Sequence, residues 1–365
     1  MISSILDKFV VRVNCMTFNH KNYIEDAMNG FCMQQTNFPF ICVIVDDAST
    51  DGEQEVIRNY LHEHFDLEDD SVVRNEETED YIYSYARHKT NHNCYFAVYY
   101  LKYNHHSIKK PKAEHVKEWK QPVNYIAICE GDDYWIDPLK LQKQVDFMES
   151  HPDCTMTCSR AKLYSERQHK YIGERYCYNN SQFVDPKEII ERSGLYINSC
   201  SILYKREVKD NYPDYCKKSA AGDYPLQIMA AMKGKVYYFN ETMSVYRVEN
   251  SNSWMGRLDY FKDADKRIRI IKSEVNMFKG FAKDYPSFSQ IFQNRIDSYI
   301  YGCFPSGRVP MKIKKEYMYF FKEDISKFGM KWRTLLYMIY LVPGLSTLLF
   351  PIVMKKYNVH NHYYE

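Results

Sequence analysis

Three short apolar runs constrain what this chain can fold into: Phe9–Val13, Phe40–Val45 and Tyr125–Cys129. Short, continuous and β-branched, they suit strands buried on both faces. A helical pattern follows each of them. Tyr23 to Gln34 follows the first. After the second, "TDGE" (Thr50 to Glu53) reads as a capping box, with Val56, Ile57, Tyr60 and Leu61 on one helix face. After the third, Asp137-Pro138 reads as an N-cap followed by proline at the first helical position, and Leu141, Val145 and Met148 recur at helical spacing. Strand–helix–strand alternation predicts an α/β fold with a parallel sheet.

Each run ends in polar residues: "NCMTFNH" (Asn14 to His20), "DDASTD" (Asp46 to Asp51) and "EGDD" (Glu130 to Asp133). In open parallel sheets ligands bind beyond the carboxyl ends of strands. Three polar clusters at three such ends predict one shared crevice. Adjacent acids in a turn after a strand suit a divalent cation, Mg2+ or Mn2+, which takes oxygen ligands and neutralises a diphosphate. Asp132-Asp133 is such a pair. Tyr134 and Trp135 beside it read as packing under that loop in preference to stacking on a sugar.

The charges at Asp66 to Asp70 and Glu76 to Asp80 predict a surface insertion, Lys89 to Ser107 a helix near the crevice, and Lys109 to Lys112 a basic loop. His105 and His106 read as exposed. Strands are predicted in "TMTCSRAKLY", "NSCSILYKR", "KVYYFN" and "MSVYRV", a helix over Ala220 to Gly234, and helices again from Trp254 to Lys327. Thr334 to Met354 carries no charge and is broken by Pro343-Gly344 and Pro351. With Lys331, Arg333, Lys355 and Lys356 flanking it, this tail suits two short helices at a membrane interface, or a hairpin buried against the domain or in a dimer.

The formal net charge is +2, so overall charge does not indicate nucleic acid. The eleven cysteines are scattered without a CxxC pair, which with no evident signal peptide leads to the expectation of reduced thiols and a cytoplasmic protein. The thirty-four tyrosines read as biased composition and packing. No GxGxxG follows the first strand, which argues against a dehydrogenase.

Four pieces resemble glycosyltransferase family 2, the inverting nucleotide-sugar enzymes with the GT-A fold. They are "NCMTFNHKNYIEDAMNGFCMQQ", "VIVDDASTDGEQEVI", "YIAICEGDDYWIDPLKLQKQVDFM" and "AGDYPLQIMAAMKGKVYYFNETMSVYR". The resemblance implies a catalytic domain over residues 1–255, a helical extension over 256–330 and the hydrophobic tail over 331–365. It implies a nucleoside-diphosphate sugar donor, most often linked to uridine, and a glycan or lipid-linked acceptor in surface polysaccharide synthesis. By position, Asp47 would bind the nucleobase edge with Asp46 in support, and Thr17 and Asn19 would line that pocket. Asp133 would hold the metal, and Asp132 would contact the ribose or diphosphate. Arg87, Asn91 and Asn93 would approach the diphosphate. Asp223 would be the catalytic base; spacing alone reads it equally as a helix N-cap. The implied place is the inner face of the cell membrane. The chain departs from the family where a histidine often follows the "YR" strand: it reads "VENSNSW", leaving Glu249, a water or nothing as the further metal ligand. A nucleotidyltransferase or a membrane-attached binding or scaffold protein with a degenerate transferase fold are the other readings.

Overall fold

A computed structural model describes residues 9–108, 110, 123–249, 264–303 and 311–342. The chain divides into two compact units. The first comprises residues 1–185, 194–210 and 229–257; the second comprises 186–193, 211–228 and 258–365.

The first unit is a mixed α/β structure. In chain order its early elements are β1 (Val11–Thr17), α1 (Ile24–Cys32), β2 (Phe40–Asp46), α2 (Glu53–His64), β3 (Phe65–Asp66), β4 (Arg74–Glu77), β5 (Tyr81–His88) and β6 (Cys94–Leu101). Then come β7 (Tyr125–Ile128), β8 (Tyr134–Trp135), α3 (Lys140–Ser150), β9 (Cys154–Ser165), β10 (Lys170–Arg175) and β11 (Gln182–Val184). The described strands form one sheet, completed by β12 (Leu203–Lys205) and β13 (Lys235–Val248). Its centre runs β7-β1-β2-β6 with every pairing parallel, and antiparallel strands flank it on both sides. All three apolar runs are strands, and β2 is buried at every residue, as a strand covered on both faces must be.

Three local expectations need correction. Cys94–Leu101 is a strand buried at all eight residues, where a helix is expected from the sequence. A short apolar run does not distinguish the two by periodicity, and its aromatic and β-branched content favours the sheet. The capping box does not form: α2 starts after Gly52 at φ 95°, the Glu53 N–H donates to Asp51 Oδ1 at 3.0 Å, and the Glu53 side chain turns inward. The helix after Asp137-Pro138 begins two residues later than expected, at Lys140, with Asp137 Oδ1 accepting from the Leu139 N–H at 2.9 Å.

Helix α1 lies close against β8. A Cβ on Gly30 would stand 2.8 Å from the Trp135 backbone nitrogen and 2.9 Å from its oxygen. The Trp135 indole is buried, donates to the Cys200 carbonyl at 2.8 Å, and packs edge-on against Phe31 at 5.0 Å. Trp135 therefore packs the floor beneath the acidic loop, as expected. The amine of Lys140, also buried, lies 4.4 Å from the indole centroid, and desolvation pulls its pKa down to about 8.

The second unit contains α4 (Pro186–Glu191), α5 (Asp214–Lys217) and the start of α6 (Asp223–Lys233), which enters the first unit at Met229. It continues with α7 (Ala264–Asp284), α8 (Ser289–Cys303), α9 (Met311–Phe320), α10 (Lys322–Ser326) and α11 (Met330–Leu341). Phe278, Phe281 and Phe292 are fully buried at its centre. Of the uncharged tail, residues 334–342 are described and the remainder, with Pro343-Gly344 and the following lysines, lies outside the described residues. Among the described residues no helix is long and apolar enough to cross a membrane.

A Cβ added at Gly30 would meet backbone atoms of β8, so no rotamer change relieves the clash. Gly30→Ala should destabilise the first unit by about 1–3 kcal/mol. A urea melt followed by Trp fluorescence checks this; an unchanged midpoint would show that α1 does not approach β8 so closely.

Candidate functional site: the carboxyl ends of the central strands

The register places the polar clusters together. Thr17 pairs with Asp46 across β1 and β2, and Asn14 pairs with Ile128 across β1 and β7. The end of β1 holds both neighbouring loops: Thr17 O accepts from the Asp47 N–H at 3.0 Å, and Met16 O accepts from the Gly131 N–H at 3.1 Å. A Cβ on Gly131 would fall 2.2 Å from Thr17 Oγ1, so only glycine admits this approach. Thr17, Asn19, Asp46, Asp47, Asp132 and Asp133 therefore belong to one end of the sheet.

Each acid there has a distinct environment. Asp47 is fully buried, and its carboxylate accepts from the backbone N–H groups of His105 at 2.7 Å and His106 at 3.2 Å. His105 is thus buried, where the sequence reads it as exposed, because the loop after β6 folds down onto Asp47, while His106 is exposed as expected. Asp46 accepts from the Ser49 N–H at 3.1 Å through Oδ1, while its Oδ2 is buried with no hydrogen-bond partner among the described residues. Burial pushes its pKa up. Asn19 stands at φ 58° and braces the loop after β2, its Oδ1 accepting from the Thr50 N–H at 2.8 Å.

Glu53 was not foreseen as part of the site. Fully buried, it accepts from the Thr17 hydroxyl, from the His20 N–H at 2.9 Å and from Ser49 Oγ at 2.8 Å. Burial pushes its pKa up to about 7. Thr17 Oγ1 also lies 3.2 Å from His20 Nδ1, and His20 Nε2 lies 3.7 Å from Asp132. A continuous polar chain thus runs from Glu53 through Thr17 and His20 to the acidic loop.

Arg247 supports that loop from β13. Its backbone N–H donates to Asp133 Oδ1 at 2.8 Å, and its Nη1 donates to the Asp132 carbonyl at 2.8 Å. The guanidinium also binds Glu166 at 2.8 Å and Asp26, and lies 5.0 Å from the Tyr23 ring centroid and 4.6 Å from that of Tyr134. Two residues on, Glu249 accepts from the Ser165 hydroxyl. The "YR" motif contains Arg247, but nothing in its spacing signals these contacts.

Asp133 is almost wholly buried, and desolvation with the neighbouring Asp132 pushes its pKa well up. A divalent cation would relieve that penalty, so the donor chemistry fits one. Among the described residues no group of three or more His, Cys, Asp or Glu converges as a metal site. The pair would therefore leave most coordination positions to other oxygens.

Arg87 and Asn93 do not join this site. Arg87 pairs with Asp66 and Asp69 at 3.9 and 3.7 Å, and Asn93 Nδ2 donates to the Thr36 carbonyl at 2.7 Å. Arg87 is opposite Tyr95 near the start of β6, and Asn93 precedes that strand. Both occupy the amino ends of the parallel strands because Cys94–Leu101 is itself a parallel strand. Asn91 joins them, donating to Cys32 O and Gln34 O. A hollow of about 480 Å³ at that end is lined by residues including Cys32, Gln34, Asn91 and Gln142. Asp223 belongs to the second unit, as the first residue of α6. Its Oδ1 accepts from the Tyr224 N–H at 2.9 Å, and burial pushes its pKa up.

With the geometry in view, the solved structure of S. aureus TarS is similar at a TM-score of 0.53 and 14% identity, over 91% of this chain and 52% of that one. The likeness is one of fold. Two weaker matches are TarS 1-349 in complex with UDP-GlcNAc, at a TM-score of 0.47, 15% identity and coverage of 98% and 93%, and the mannosyltransferase PcManGT from Pyrobaculum calidifontis in complex with GDP-Man and Mn2+, at 0.47, 14%, 96% and 83%. Uncharacterised proteins of Mycobacterium bovis and Mycobacterium tuberculosis are 28% identical over 240 residues, 66% of this chain. The match spans 59% of those relatives' length. No family profile matches the sequence.

The Glu53 carboxyl titrates higher in the folded chain than its ordinary 4.5, so unfolding releases its proton between about pH 4.5 and pH 7. Stability should fall as pH rises through that window, by about 3 kcal/mol in all. Glu53→Gln mimics the protonated acid and should flatten this slope. Denaturant melts from pH 4 to pH 8 measure it; identical slopes in both proteins would show that Glu53 does not titrate there.

Proposed function

We propose that the first unit binds a nucleoside-diphosphate sugar, most often one linked to uridine, and that the protein transfers the sugar with inversion to a hydroxyl of a glycan or lipid-linked acceptor. The observation that carries this reading is the convergence of Asp46, Asp47, Asp132 and Asp133 at the carboxyl ends of parallel strands. Open α/β sheets bind nucleotides at that end, and the fold likeness to TarS agrees with it.

In this mechanism Asp47 and the loop it pins form the nucleobase end of the crevice. Its backbone partners use part of its capacity, and a carboxylate has about four lone-pair sites. Thr17 and Asn19 shape the wall by fixing the loop after β2. Asp133, with Asp132, would hold Mg2+ or Mn2+, which when bound offsets charge on the diphosphate. Arg247 keeps the Asp132-Asp133 backbone in place. By the family resemblance Asp223 would take the proton from the acceptor hydroxyl, and its burial raises its affinity for that proton. The acceptor oxygen attacks the anomeric carbon, the bond to the diphosphate breaks, and the nucleoside diphosphate leaves. The C-terminal tail would seat the enzyme on the inner face of the membrane, where surface polysaccharide precursors lie.

Release of free nucleoside diphosphate from a panel of UDP- and GDP-sugars, in Mg2+ or Mn2+, tests the reading. Asp133→Ala should lower turnover by about 10²-fold or more. Asp223→Asn should keep nucleotide affinity and lose about 10²–10⁴-fold in transfer. Turnover unaffected by Asp133→Ala would refute the metal assignment, and equal loss of donor binding in Asp223→Asn would leave that residue a helix cap.

A further inference from the structure

The β9–β10 hairpin carries a second concentration of unusual side chains. Between residues 160 and 176 lie Arg160, Lys162, Arg167, Lys170 and Arg175 against two acids, Glu166 and Glu174. Both acids are engaged by arginines: Glu166 by Arg247 at 2.8 Å and Glu174 by Arg160 at 3.0 Å. The hairpin's own side chains therefore carry an excess of positive charge, which Glu249 against Ser165 offsets only in part.

Aromatic rings alternate with those cations. Tyr171 is 52% exposed and meets Tyr164 edge-on at 5.4 Å, with the Lys162 amine 5.2 Å from its centroid. Tyr176, 49% exposed, has the Arg160 guanidinium 4.9 Å from its centroid. The Tyr171 hydroxyl lies 3.1 Å from that of Tyr134, the residue directly after Asp133. The surface is thus continuous with the acidic loop.

We propose that this exposed face binds an anionic glycan chain and presents it toward Asp133. It rests on the transferase reading above and names the acceptor class. The C–H faces of sugar rings pack against aromatic faces, and lysine and arginine heads meet carboxylate or phosphate groups along the polymer. A neutral glycan would use the rings and give Lys162 and Lys170 no anion to meet. Charge complementarity therefore selects an acidic polymer.

Titration of the full chain with an oligogalacturonate, a neutral dextran oligosaccharide of equal length, and UDP tests the proposal. The oligogalacturonate should bind more tightly than dextran. Tyr171→Ala and the pair Lys162→Gln, Lys170→Gln should each weaken it about tenfold while UDP affinity is unchanged. No oligogalacturonate binding, equal binding of dextran, or variants that bind like the parent chain would overturn the assignment. So would tighter binding of single-stranded oligothymidylate or of phosphatidylglycerol vesicles. If UDP binds and the variants have no effect, only the acceptor surface fails. If UDP does not bind while oligogalacturonate binding depends on Tyr171, the donor reading fails and the surface stands.

Discussion

Burying carboxylates at one end of a sheet is the constraint on which this site depends. A buried charge must be paired, hydrogen-bonded or neutralised. The chain uses all of these answers within a few residues. Backbone N–H groups of His105 and His106 bind Asp47. Glu53 is pushed toward the protonated form and bound by Thr17, His20 and Ser49. Asp133 receives one N–H, from Arg247, and keeps a strongly raised pKa because Asp132 adds repulsion to desolvation. The loops after β1, β2, β6 and β7 are thereby tied to one another through their acids. A cation bound at Asp133 would complete a charge balance that the protein leaves open.

The central sheet was legible because its strands are short, β-branched and followed by helical spacing. Thr17, Asp46, Asp47, Asp132 and Asp133 could be grouped from that alone. The misreadings also have physical causes. Cys94–Leu101 is rich in tyrosine and apolar all round, so its pattern has neither the period of a half-buried strand nor that of an amphipathic helix. The resemblance carried Arg87, Asn91 and Asn93 toward the diphosphate, whereas a parallel strand over Cys94–Leu101 puts them at the opposite end of the sheet. Glu53 has the spacing of a capping residue, and local pattern cannot show that its side chain turns inward to Thr17. Arg247 is distant in sequence from the acidic loop it holds and from Glu166, which binds it, so no local signal joins them.

The second unit is built differently. Its described helices close around aromatic rings, with Phe281 and Phe292 stacked at 5.5 Å and the Tyr299 hydroxyl bound to the buried Glu274. Asp223 begins α6 in this unit, and burial raises its pKa.

The central claim is that a nucleoside diphosphate occupies the carboxyl ends of β1, β2 and β7. Crystals grown with UDP and Mn2+, measured above the manganese absorption edge, test it most directly. The account predicts an anomalous peak beside Asp133, with the diphosphate against it and the base toward Asp47. A nucleotide in the hollow lined by Cys32, Gln34, Asn91 and Gln142, at the amino ends of the strands, or an ordered nucleotide with manganese away from Asp133, would contradict it.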